Sequence, residues 1–316
     1  MTRPGMRQCL LISLLLVAMP VYAHTLGETE SAGWSFEPWV WVPLALSAAA
    51  YIAALVRLQR YGIRRRVVGL SQCVFFALGI LSLVIALMSP LDALAEQLFS
   101  AHMTQHLMLM LVAPPLLILG RPGNVLLWTF SLRVRRGIGR FWRGTGLRGI
   151  WRACSQSIPV WLMASAAMWF WHIPGPYTWA FTHPGIHVLE HMSFFLTSLA
   201  FWALVMQPFS RAGSGHGTAL VLLATFAIES SLLGALLAFA GHPLYAVHVG
   251  VVHHLPHWLP EITPLQDQQL AGLIMWIPAS LVQLVALGAV FADWMERAEN
   301  PSKRARALRQ DARLAM

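Results

Sequence analysis

Long apolar runs separated by short polar turns set the pattern of this chain. Seven of them, at about residues 39 to 57, 67 to 88, 102 to 119, 157 to 172, 187 to 206, 218 to 240 and 268 to 291, read as membrane spans, since about 20 predominantly apolar residues cross a bilayer as a helix. The pattern predicts an all-α fold, a polytopic membrane helix bundle of seven transmembrane helices. An eighth run, Cys9 to Val21, is shorter, follows Arg3 and Arg7, and ends at Val21-Tyr22-Ala23 before a polar stretch. A positive start, a short apolar stretch and a small-x-small ending read as a signal peptide cleaved after Ala23, with an uncleaved first helix as the alternative. The predicted layout is a signal peptide (1–23), an outer N-terminal segment (24–38), a seven-helix transmembrane domain (39–291) and a basic cytoplasmic tail (292–316). No soluble domain, low-complexity tract or internal repeat interrupts it.

The charges supply an orientation. The 22 Lys and Arg residues fall in the signal, at Arg57 to Arg66, at Arg121 to Arg152, at Arg211 and at Arg297 to Arg313, whereas segments 24–38, 89–101, 173–186 and 241–267 have none. Basic residues stay on the cytoplasmic side, so the N-terminus is expected outside and the C-terminus inside. Composition agrees with the class: of 316 residues, 57% are hydrophobic and 11% charged, against roughly 25% charged in soluble domains. The net charge of +9 is topogenic and faces lipid head groups, so membrane lipid is an expected partner and nucleic acid is not. Arg133 to Arg143, with Val134, Ile138, Phe141 and Trp142 interleaved, can lie on the inner surface as an amphipathic piece, although solvated charge explains it as simply.

Histidine divides the opposite way. Of 13 histidines, only His216 falls on the basic side. The third span begins with His102, Met103 and His106, and the fifth with His187, Glu190 and His191; a spacing of four residues puts each imidazole pair on one helix face. The fourth span leaves the membrane at Trp169-Phe170-Trp171-His172, and the seventh begins at Asp267-Gln268-Gln269. Singly, each reads as well as an interfacial residue or an aromatic belt. Together they place polar ligand-type side chains from four helices at similar depth, where polar groups are costly unless paired or ligated. The expected metal ligands are His102, His106, His172, His187 and His191, with Met103 as a soft auxiliary and with Asp267 and Glu190 as supporting or exchangeable ligands.

Ligand chemistry narrows the metal. Cys9, Cys73 and Cys154 all lie away from the outer face and form no CxxC motif, so thiolate sites are not expected there. Imidazole with thioether suits copper, and imidazole with carboxylate suits zinc or iron as well. Glu229, in the middle of the sixth span, costs roughly 2.5–3.5 kcal/mol to insert as an ion and is expected to face the bundle interior, either as a proton relay or as a neutral acid bonded to a neighbour. His242, His248, His253, His254 and His257 in the outer loop, and His24 at the expected new N-terminus, are candidates for metal capture. Solvated imidazole in a Pro-rich loop explains the loop set equally well.

Ser89-Pro90-Leu91, Phe99-Ser100-Ala101-His102-Met103-Thr104-Gln105-His106, Trp171-His172-Ile173-Pro174, Glu190-His191-Met192 and Asp267-Gln268-Gln269-Leu270-Ala271-Gly272-Leu273-Ile274-Met275-Trp276 together carry a resemblance to the CtaG family of cytochrome c oxidase assembly proteins. It implies a non-enzymatic, seven-helix protein of the bacterial inner membrane that binds copper at the outer, periplasmic face and helps to supply it to the oxidase. Oxidase subunits, and a periplasmic copper carrier, are the implied protein partners. Two other readings of the residues stay open. One is an electron-transfer protein with haem b between paired histidines; the other is a zinc-dependent membrane hydrolase using Glu190 or Asp267 as base.

Overall fold

The computed structural model describes residues 33–144, 154–206, 215–245, 247 and 262–299. The described residues are helical and contain no strand. Seven principal helices follow in order: α1 (Pro38–Arg60), α2 (Leu70–Met88), α3 (Phe99–Leu119), α4 (Ser157–Trp171), α5 (Pro184–Met206), α6 (His216–Ala238) and α7 (Pro264–Glu299). All but α4 are long and apolar enough to cross a membrane. The run expected to span at 157–172 is α4, whose 15 residues cover about 22 Å at 1.5 Å per residue. The expected signal peptide and the end of the basic tail lie outside the described residues.

Helix packing in lipid depends on close backbone approach, because lipid tails solvate apolar side chains as well as a neighbouring helix does. The α6–α7 pair shows the device. A Cβ added at Gly234 would stand 2.9 Å from the Gly272 carbonyl oxygen, and one at Gly272 would stand 2.6 Å from the Gly234 oxygen and collide with the Ala238 backbone. Further along the seam, Ser230 bonds Gln283 at 3.2 Å and Ser231 bonds Ser280 at 2.9 Å. At the far end the buried His216 meets Asp293 at 2.9 Å. Glu229 is half-buried beside this seam.

Helix α3 is not regular. Residues Met108–Val112 form a π turn immediately before Pro114 and Pro115. Pro114 has no N–H for the Met110 carbonyl four residues earlier, and its ring crowds that carbonyl; widening the turn relieves the clash. The released oxygen accepts a 2.9 Å bond from the indole N–H of buried Trp202 on α5. A defect in one span thus becomes its polar contact with the next.

Short helices finish the end of the bundle where α3, α5 and α7 begin. Ser89 caps Pro90–Ala95 by accepting from the Leu91 N–H, with Pro90 at the first helical position, where a missing N–H costs nothing. The amide of buried Gln105, on α3, donates to the Ala86 carbonyl at 2.8 Å and to Asp92 at 2.7 Å. Pro174–Thr182 is a second short helix, also begun by proline, and it carries Tyr177 under the same end.

Candidate metal centre

Asp267 sits in the first turn of α7, 2% exposed. Its two carboxylate oxygens accept the backbone N–H groups of Phe99 at 2.6 Å and Ser100 at 3.0 Å. These are orphan donors of the first turn of α3, which every helix leaves without intrahelical partners, and a carboxylate also complements the positive helix terminus. The neighbouring amides work outwards. Gln268 accepts from the Leu244 N–H at 2.6 Å and donates to the His242 carbonyl, while Gln269 donates to the Ala240 carbonyl. The Asp-Gln-Gln run therefore ties α3 on one side and the 240–244 turn on the other.

Helices α3 and α5 start at the same end and run side by side in register. His102 lies opposite His187, ring centroids 5.3 Å apart, and His106 lies opposite His191 at 5.2 Å. Within each helix the paired rings are 4.3 Å (His102 and His106) and 4.2 Å (His187 and His191) apart. Glu190 enters between them, with one oxygen 3.9 Å from His102 Nε2 and the other 3.7 Å from His106 Nε2. His172 closes α4, its ring 6.2 Å from that of His106. Its Nδ1 lies 2.6 Å from the Met168 carbonyl; a carbonyl only accepts, so Nδ1 carries the proton and Nε2 presents a lone pair.

The donor atoms of His102, His187, Glu190 and His191 all lie within 4.8 Å of one another. Ligands of a tetrahedral ion held at about 2.0–2.1 Å are about 3.3 Å apart, so side-chain rotations suffice to close the set. His106 has both ring nitrogens buried without a hydrogen bond among the described residues; so are Nε2 of His172, His187 and His191 and both oxygens of Glu190. Each such group costs about 1–3 kcal/mol when buried unsatisfied, and coordination is the chemistry that satisfies several at once. The residues fit a divalent or monovalent transition-metal ion by donor type; no cysteine belongs to the group.

The structure brings His102, His106, His172, His187, His191 and Glu190 together, and assigns the remaining expected residues other surroundings. Met103 is 1% exposed and packs in an aromatic cluster with Phe99, Tyr177, Leu237, Tyr245 and Ala271. Asp267 holds the α3 terminus. Glu229 is half-buried, with Oε2 making no hydrogen bond among the described residues. His242 is exposed. His24, His248, His253, His254 and His257 lie outside the described residues.

Several supporting groups were not anticipated. Tyr177 lies edge-on to His102 at 5.5 Å. Tyr245 donates its hydroxyl to the His172 carbonyl at 2.8 Å, and burial, then the Glu190 charge, hold its phenol well above the ordinary range. Trp171 donates to Ser193 at 2.8 Å, and Ser193 donates to the Glu190 carbonyl at 2.8 Å. The Pro174 start signal was the available clue to the helix that carries Tyr177; Ser193 and Tyr245 had none.

An all-helical, multi-pass membrane protein with a buried histidine–carboxylate group is the class this arrangement defines. Residues 49–297 match the family described as cytochrome c oxidase caa3 assembly factor, Caa3_CtaG, and the chain belongs to that family. Comparison with curated proteins and with solved structures found no match.

Proposed function

We propose that the protein handles copper for cytochrome c oxidase assembly, binding the ion at the end of the bundle where α3 and α5 begin and passing it to an oxidase subunit. The observation that carries this reading is the convergence of five imidazoles and one carboxylate from three helices, with both nitrogens of His106, Nε2 of His172, His187 and His191, and both oxygens of Glu190 lacking hydrogen bonds among the described residues. Family membership supplies the assembly role; the donor set supports a transition-metal ion, which this reading takes to be copper. Imidazole ligands suit copper, as they do zinc and iron; in this reading the ion is copper and is cargo, so the proposed role is not enzymatic. The four-residue group needs rotation to close, which suits a site that must release what it binds.

In the same reading the chain makes seven crossings of the bacterial inner membrane, α4 being the shortest, after cleavage of 1–23. Basic clusters at 57–66 and 121–152 put those turns inside and the histidine group at the periplasmic face. A periplasmic carrier loads it, and His24 with the loop histidines 242, 248, 253, 254 and 257 collects the ion on the way.

The test is anaerobic Cu(I) titration of the purified, detergent-solubilised protein against a chromophoric chelator, with element analysis and a visible spectrum of the same sample. Retention of copper by the wild-type protein, its loss in His102→Ala/His106→Ala, and failure of that variant to support oxidase maturation are expected. A Soret band, preferential zinc retention, or normal oxidase maturation by the double variant would overturn the reading.

A further inference from the structure

Resting on that reading, we infer that the histidine group is two adjoining metal positions bridged by the Glu190 carboxylate. The donors are too many for one ion. Four of them, from His102, His187, Glu190 and His191, already lie within 4.8 Å of one another, and four complete a tetrahedral shell. His106 and His172 remain, 3% and 7% exposed, with both nitrogens of His106 and Nε2 of His172 lacking hydrogen bonds among the described residues.

Ring spacing leaves room for both positions, and the Glu190 oxygens sort the donors between them. With a metal–imidazole distance of about 2.0–2.1 Å, two imidazoles on one ion have centroids about 5 Å apart at a tetrahedral angle and about 6 Å apart when opposed. His102 with His187 at 5.3 Å and His102 with His191 at 5.8 Å fall in that window, and both belong to the four-residue group. His106 with His172, at 6.2 Å, fits the opposed arrangement that suits an ion with few ligands. His102 with His106, at 4.3 Å, and His187 with His191, at 4.2 Å, each need side-chain rotation before both rings of the pair could meet one ion. The two neighbours on α3 are divided between two positions by the Glu190 oxygens, a different one of which lies nearest each ring.

Glu190 connects the positions. One oxygen faces His102 Nε2 at 3.9 Å and the other faces His106 Nε2 at 3.7 Å, so a single carboxylate can give one oxygen to each ion. The first position takes His102, His187 and His191 with one oxygen; the second takes His106 and His172 with the other. His172 is fixed for this role, since its Nδ1–H bonds the Met168 carbonyl and its own carbonyl is held by Tyr245, leaving Nε2 as the ligand atom. Phe194, 4.6 Å from His106 and 5.9 Å from His172, supplies the apolar wall of the second position.

The experiment is the same anaerobic titration, carried to saturation on the full-length protein with Cu(I) alone, with X-ray absorption at the copper edge. Two copper ions per chain are expected, with a copper–copper scattering component. His172→Ala, and the more conservative His172→Gln, should each bind one ion, with affinity within about twofold of the tighter wild-type position, and should lose that component. Far-ultraviolet circular dichroism and size-exclusion profiles confirm that the variants are folded. Glu190→Gln should retain the imidazole ligands yet lose the copper–copper component. One ion in the wild-type protein, or two ions unaffected by both His172 variants, overturns the two-position site and leaves the copper reading standing. No copper at all overturns both.

Discussion

Asp267→Ala removes the carboxylate that holds the start of α3, and its consequence can be worked through. The side chain is 2% exposed and accepts two backbone donors, at 2.6 and 3.0 Å. A hydrogen bond to a charged group contributes about 1.5–3 kcal/mol, and an orphaned buried N–H costs about 1–3 kcal/mol; these overlap for two adjacent donors, giving about 2–4 kcal/mol in all. At roughly 2–4 °C per kcal/mol for larger chains, thermal unfolding should fall by roughly 5–12 °C. The 14 tryptophans make intrinsic fluorescence in detergent a convenient readout. Asp267→Asn keeps one acceptor oxygen and turns an amide N–H towards the second donor, so it should lose about half as much. Because α3 carries His102 and His106, copper affinity should drop about 10- to 100-fold in the alanine variant, as when a supporting partner of a ligand is lost. A melting temperature within 2 °C of wild type, or an asparagine variant as damaged as the alanine one, would refute the capping argument.

Gly272→Ala places a methyl group against the Gly234 oxygen and the Ala238 backbone; backbone cannot rotate away, so α6 and α7 must separate, costing about 1–3 kcal/mol, read as a lower melting temperature and a reduced folded yield. Trp202→Phe keeps the ring volume nearly intact but leaves the Met110 carbonyl without its indole donor, and should cost about 1–2 kcal/mol, whereas Trp161→Phe, whose indole N–H has no hydrogen bond among the described residues, should be close to neutral in the same melt. Tyr245→Phe removes the bond to the His172 carbonyl and should weaken the second copper position more than the first; equal weakening of both in the titration would count against that assignment.

Much of this was legible in the chain, and the exceptions have physical causes. Apolar run length pointed to the helices, six of them long and apolar enough to cross a membrane, because each must satisfy its own backbone in lipid, and the i, i+4 histidine pairs gave a shared face because helix geometry is local. That α3 and α5 run in register was not local, so the pairing of His102 with His187 was invisible until the helices were placed. Asp267 shows the same limit: its partners are Phe99 and Ser100, far away in sequence, so the residues suggested a supporting or exchangeable ligand and only the structure shows that it caps α3. The short helix Pro174–Thr182 lay in what read as a plain loop, although its opening proline marked it. His216, the exception to the histidine segregation, is buried against Asp293, a pairing that apolar periodicity does not register.

The π turn at Met108–Val112 also bears on how such a protein can change over generations. A π turn holds one more residue than the α-helix it interrupts, and each residue rotates a helix by about 100°. Because the widened turn absorbs that extra residue locally, the helix on either side keeps nearly its register, so a change of one codon there would alter the Met110 contact with Trp202 while leaving His102 and His106 facing α5. A descendant could thus change the length of this span while keeping its ligands in place, which makes this turn a point where insertion and deletion among relatives are expected to be tolerated.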